Sequence, residues 1–168
     1  GLVRHPPVAG GDVGTTQAQL SAGDQNSDPV EPKYLLLNKS LQFRITEAVN
    51  SLYNFDFKTA ERGFLVMQYT YPDHPLPYFL MGLSQWWKMA PDTENTQYDE
   101  IFLKYMEETI DKAEALYDED PTNKEAAFFL AAAYGFEGRL YSERESWTRA
   151  AFAGKNALKY LELSRGEE

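Results

Sequence analysis

From Leu41 onward, apolar residues recur at steps of three and four, the spacing that lines one face of an α-helix. Leu41, Ile45, Val49 and Leu52 form the first stripe, which ends at Asn54. Asp56 offers an N-cap to a second helix carrying Phe57, Ala60, Phe64 and Met67 on one side. The run Tyr71-Pro72-Asp73-His74-Pro75 breaks that helix, because proline lacks a backbone donor and restricts the residue before it. A third helix spans about 76–89 and gives way to Pro91-Asp92-Thr93-Glu94-Asn95, which has loop chemistry. A fourth, over about 98–118, carries Phe102, Met106, Ile110, Ala113 and Tyr117 on one line. Asp120-Pro121 stops it. Thr122 and Glu125 then stand at capping-box spacing for a fifth helix that reaches about Phe136. Gly138 reads as an interruption, after which Ser142 and Glu145 can cap a sixth helix running through Leu161 or Leu163. Six helices on short connections, with no convincing strand, predict an all-α fold.

The stretch before the helices has a different character. Residues 1–33 hold no aromatic residue but five of the eleven glycines and four of the nine prolines. Such a segment buries too little apolar surface to offset its ordering entropy, so it reads as a flexible tail or linker, with residues 34–168 as the helical domain. A segment that folds on a partner is the alternative. The sequence opens on Gly1 and its first methionine is Met67. A removed leader and further repeats after residue 168 therefore both stay open.

A helix pattern of this regularity invites a search for a repeat. Asp56-Phe57-x2-Ala60-x3-Phe64 is followed by Pro72, and Pro72 leads to Tyr78-x2-Met81-Gly82. Pro121 leads at the same offset to Ala127-x2-Leu130-Ala131-x2-Tyr134. Across roughly 39–164 the chain resembles a tetratricopeptide repeat (TPR) protein, whose helix-turn-helix unit is about 34 residues long. The resemblance implies an α-α superhelix of about three repeats in which small residues at Gly82, Ala131 and Ala60 let paired helices cross closely. The departures are plain. Pro72 and Pro121 are further apart than one unit, an excess assigned to the Pro91 loop and to long third and fourth helices. The first repeat has Arg44, Glu47 and Ala48 where the aromatic and leucine signature belongs. An irregular helical bundle is the rival reading.

The resemblance also implies that the first helix of each repeat lines a concave face. That places Ile45, Val49, Leu52 and Tyr53 there from the first repeat, Phe79, Leu83, Trp86 and Trp87 from the second, and Phe128, Ala132 and Phe136 from the third. Such a face is aromatic and apolar. It lacks the Lys, Asn and Arg with which many TPR domains clamp acidic tails, so that role is rejected. Tyr53, Phe79, Leu83, Trp86, Trp87, Phe128 and Phe136 are the candidate partner-binding residues, suited to an apolar or amphipathic segment of a protein or peptide. A small-ligand or glycan binder using the same aromatics is the alternative. The groove can equally be filled by the chain's own tail, by missing repeats or by neighbouring side chains, and an uncovered apolar face invites self-association.

Charge and composition narrow the classes further. With 16 basic and 26 acidic residues, the net charge of −10 argues against nucleic acid, whose phosphates require Lys and Arg. Residues 91–125 carry 12 acids and three bases, read as a solvated helix face. No run of apolar residues is long enough to insert into a membrane. The absence of cysteine rules out disulfides, thiolate metal sites and a cysteine nucleophile, without fixing a compartment. Resemblance to bacterial TPR proteins, some of the cell envelope, points to a bacterial periplasm or envelope. No catalytic motif, phosphate loop or metal-binding pattern occurs, so no enzyme activity, cofactor or metal is expected. His74 reads as an exposed turn residue, and Asp118-Glu119-Asp120 lacks the glycine-spaced loop of a calcium site.

Overall fold

The structure is a computed structural model that describes residues 33–166. The stretch read as a tail lies, apart from Lys33, outside the described residues. Six helices follow: α1 Lys39–Tyr53, α2 Phe57–Thr70, α3 Pro75–Met89, α4 Asp99–Glu119, α5 Lys124–Glu143 and α6 Trp147–Ser164, with no strand among the described residues. Each helix packs mainly on its neighbours in the chain, and α3 also meets α5. Sequential packing of this kind is what a helical repeat produces, since each unit buries its apolar face only by stacking on the next.

The repeat is most visible in the turns. Before α1, α3 and α5 the chain makes one and the same turn. The N–H of the N-cap residue donates to the carbonyl three residues earlier: Asn38 to Leu35, His74 to Tyr71 and Asn123 to Asp120. In all three, the N-cap side chain then accepts from the helix's first turn, at Leu41, Leu76 and Ala126. The turns inside the first and third pairs also match. Phe55 and Glu145 both adopt left-handed backbone angles, φ 59° and 58°. In both, the next N–H reaches back five residues, from Asp56 to Ser51 and from Ser146 to Tyr141, closing the helix end as a Schellman turn does.

The core runs continuously through the stack. Phe64, Met67, Phe102, Met106, Phe129 and Leu130 are all essentially sealed from solvent. Gly82 stands where α3 crosses α4: a Cβ there would collide with the Met106 methyl group and touch the Tyr105 Cβ. The close crossing expected of the second repeat is therefore present.

Several local expectations are corrected. Gly138 does not interrupt α5. It lies inside the helix against α6, where a Cβ would come within 3.4 Å of the Ala153 Cβ, so in the third pair it serves the crossing that was assigned to Ala131. Helix α5 accordingly runs two turns beyond Phe136. The α6 N-cap is Ser146, because Glu145 takes the left-handed turn position. Helix α3, at 15 residues, is no longer than α1, so the excess over one repeat sits in the 90–98 loop and in the 21 residues of α4.

Glu125 closes no capping box. Asn123 caps α5, and the Glu125 carboxylate accepts instead from His74 Nε2 at 3.0 Å and from the N–H groups of Leu35 and Leu36 at 2.7 and 3.1 Å. His74 is thus buried, at 2% exposure, rather than the exposed turn residue expected. Its Nδ1 accepts from Leu76 N–H and so caps α3, while Pro75 at the first helical position has no donor to satisfy. These contacts tie the strip 33–38 to the start of α5, and Lys33 adds a bond to the end of α4: Leu35 is buried in the core and Lys33 pairs with Glu119 at 3.1 Å.

The Pro91 loop is held in a comparable way. Arg144, the C-cap of α5, donates to both Asp99 oxygens at 2.6 and 2.9 Å and to the carbonyls of Thr93 and Asn95. A planar guanidinium with several donors suits this task, and the Asp99 carboxylate in return holds it firmly in its charged form.

Candidate functional site

Packing of α3 beside α5 brings aromatic residues from two repeats together. Helix α3 presents Trp86 one turn above Leu83, and α5 presents Phe136 one turn above Ala132. The Trp86 and Phe136 rings meet edge to face at 5.7 Å, and Trp86 also rests on Phe102 of α4 at 5.6 Å. Phe79 lies beneath, 5.8 Å from Phe136 and 5.9 Å from Phe129, which anchors the pair to the core. Edge-to-face contacts of this kind fix ring orientation as well as bury area.

Between the two helices opens a hollow of about 360 Å³ lined by Trp86, Ala132, Gly135, Phe136 and Arg139. Gly135 leaves its wall low, because no atom lies within 4 Å of where a Cβ would stand. Arg139 sits over the Trp86 indole at 5.7 Å from the ring centroid and also reaches Glu143 at 3.4 Å. The result is an apolar floor with one cation at its rim, open to solvent.

The seven candidate residues fall into four groups. Trp86 and Phe136 line the hollow, with Leu83 half-buried on the same helix as Trp86. Phe79 is buried at 9% exposure and acts as floor. Tyr53 and Trp87 form a separate edge-to-face pair at 5.0 Å between α1 and α3, with Tyr53 62% exposed. Phe128 stands exposed near the start of α5, its ring edge to face with that of Phe129 at 5.4 Å. Of the wider inner-face set, Leu52 is core, at 1% exposure.

Gly135 and Arg139 were missed. Both lie on the heptad-like continuation of Phe128 and Ala132; ending α5 near Phe136 hid Arg139, and Gly135 has no side chain to mark the face. Arg139 also means that this face does carry a basic residue, although one arginine does not make an acidic-tail clamp.

The acidic segment is less purely a solvated face than expected. Asp99 binds Arg144, Glu119 binds Lys33, Asp120 accepts from Thr122, and Glu125 is buried against His74. Two members of the Asp118-Glu119-Asp120 run are therefore occupied by protein partners. No group of three or more His, Asp or Glu side chains suited to a metal ion occurs among the described residues. No described helix is long and apolar enough to cross a membrane.

Compared with protein-family models, curated proteins and solved structures, the chain matches none of them. The class that the geometry defines is a stack of helical pairs with a repeated turn and an open aromatic hollow between its first helices.

Proposed function

We propose that this chain is a TPR-type, non-catalytic interaction scaffold of bacterial origin that binds an apolar or amphipathic segment of a partner protein along α1, α3 and α5. The observation that carries this reading is the Trp86–Phe136 hollow, with its exposed Gly135 wall and Arg139 rim. An amphipathic helix would seat one large apolar side chain against the two rings and offer a carboxylate to Arg139, the anchor-plus-rim arrangement of binding hot spots. Tyr53 and Trp87 would extend the contact toward α1. The recurrent turn before α1, α3 and α5 supports the TPR part of the reading. The hollow's open form favours an extended partner over an enclosed small ligand or glycan, which calls for a deeper cavity.

The reading is tested by selecting peptides from a displayed library on the wild-type protein and re-measuring them on Gly135→Glu. This substitution fills open space and leaves the packing of Trp86 intact. Selected peptides should carry a helical apolar stripe with an acidic residue, and lose more than tenfold in affinity on Gly135→Glu. Peptides that bind both proteins equally would overturn the assignment.

A further inference from the structure

Helix α6 ends the described stack, and its packing uses only part of its surface. Ala153 meets α5 at Gly138, and Tyr160 stacks on Tyr134 of α5 and touches Tyr117 of α4 edge to face. Arg149 and Phe152 share a hollow with Glu107 and Asp111 of α4. A different row takes no part in this packing. Trp147, Ala151, Gly154, Leu158 and Leu161 follow one another at steps of four, three, four and three residues. Trp147, Leu158 and Leu161 are 64%, 65% and 40% exposed, and nothing lies within 4 Å of where a Gly154 Cβ would stand. With about 3.6 residues per turn, this row lies on the flank of α6 away from Phe152 and α4.

We propose that this row is a coiled-coil seam that docks an amphipathic helix of a partner protein, one whose apolar stripe is bordered by acidic residues. Alternating steps of four and three are the a and d positions of a heptad, and Gly154 leaves a hole for a partner's apolar side chain. A bilayer surface calls for a broad apolar face, whereas Lys155 and Glu162 confine this one to a narrow seam. Charge defines the partner's borders. Residues 147–165 hold four bases, Arg149, Lys155, Lys159 and Arg165, against the single acid Glu162, in a chain of net charge −10. None of the four joins an ion pair among the described residues. Lys155 borders the row directly with Lys159 behind it, and Arg165 extends the row by a further step of four. The α4 side of α6 has the opposite field: Glu107 and Asp111 line it, and burial with the Glu107 charge pushes the nearby Glu137 carboxyl up to about 7. An acidic helix is thus steered to the row and away from α4. A second copy of this chain suits the seam less. The antiparallel register that seats Leu158 over Gly154 sets the two Lys155 side chains against each other, and a parallel one leaves Gly154 facing glycine. The seam shares no residue with the Trp86 hollow, so it does not rest on that reading.

The test is fluorescence anisotropy of two labelled three-heptad peptides titrated with the full chain. Both peptides carry leucine at a and d; one has glutamate at e and g, the other lysine. The glutamate peptide should bind saturably, about tenfold or more tighter than the lysine peptide, and more weakly as salt rises. Lys155→Glu combined with Lys159→Glu should lower that affinity about tenfold and reverse the order of the two peptides. Leu158→Ser, at an exposed position that leaves the core untouched, should lower it more than about tenfold, while Gly135→Glu should leave it unchanged. Equal binding of the two peptides, no saturable binding, full binding by Leu158→Ser or a loss in Gly135→Glu would each overturn the proposal. So would a wild-type dimer in sedimentation that Leu158→Ser dissolves, which would assign the row to a second copy. Co-sedimentation with vesicles of equal phosphatidylserine and phosphatidylcholine, lost in Leu158→Ser, would assign it to a lipid surface and overturn the proposal too.

Discussion

His74 and Glu125, 51 residues apart in the chain, meet at 3.0 Å with their side chains 1% and 8% exposed. The histidine caps α3 with one ring nitrogen and reaches α5 with the other, while the glutamate gathers the backbone of Leu35 and Leu36. One buried pair therefore ties together the beginnings of all three helical pairs.

Replacing His74 by alanine removes a cap and leaves Glu125 short of a donor, so stability should fall by about 2–4 kcal/mol. His74→Asn retains the capping acceptor and should recover a good part of the loss. Urea denaturation of both variants measures this. A loss under about 0.5 kcal/mol for His74→Ala would deny the pair its structural role.

The sequence carried the helices well and this junction poorly. Stripes such as Leu41, Ile45, Val49 and Leu52, and breaks such as Pro72 and Pro121, report local periodicity, which is why five helix starts were placed within a residue or two. His74 and Glu125 have no periodic signature, since their partnership depends on how the first and third pairs stack. Gly138 misled for a related reason: a glycine that breaks a helix and one that admits a neighbouring helix look alike until the neighbour is placed. Trp86 and Phe136 were legible as aromatics on first helices, whereas the openness beside them depends on Gly135, a residue without a side chain to notice.

Two glycines should respond oppositely to substitution. Gly82→Leu forces α3 from α4 at the Met106 and Tyr105 contact and should cost about 3 kcal/mol or prevent folding. Gly154 lies within α6 with nothing inside 4 Å of its missing Cβ, so Gly154→Ala should stabilise by about 0.5–1 kcal/mol through helix propensity. Thermal unfolding followed by circular dichroism checks both signs. A stable Gly82→Leu protein of unchanged helicity would remove the repeat register.

Glu145 holds a left-handed backbone at φ 58° on an exposed turn, a conformation that glycine adopts without a Cβ penalty. Glu145→Gly should stabilise the protein by about 1 kcal/mol, read as a raised urea midpoint. A lowered midpoint would mean that the Glu145 side chain supplies more than the turn geometry shows.

Glu137 makes stability depend on pH. Its carboxyl titrates near 7 when folded, against an ordinary value of 4.5, so between those values the folded state holds more protons than the unfolded one. Stability from this group is full below pH 4.5, declines as pH rises toward 7 and levels above it. The change is about 1–2 kcal/mol once screening by the solvent that reaches the carboxyl is allowed for. Glu137→Gln should flatten that part of the profile and be the more stable protein at pH 8. A wild-type profile already flat from pH 5 to 7.5, matching that of Glu137→Gln, would show that the carboxyl is not strained.

The most direct test of the scaffold reading is site-specific photocrosslinking with a selected peptide. A photoreactive phenylalanine analogue is placed at Ala132, in the hollow, and separately at Lys104, exposed on α4. The account predicts crosslinks from position 132, abolished when Gly135→Glu is added, and none from position 104. Crosslinks from position 104 with none from position 132 would place the partner elsewhere and contradict it.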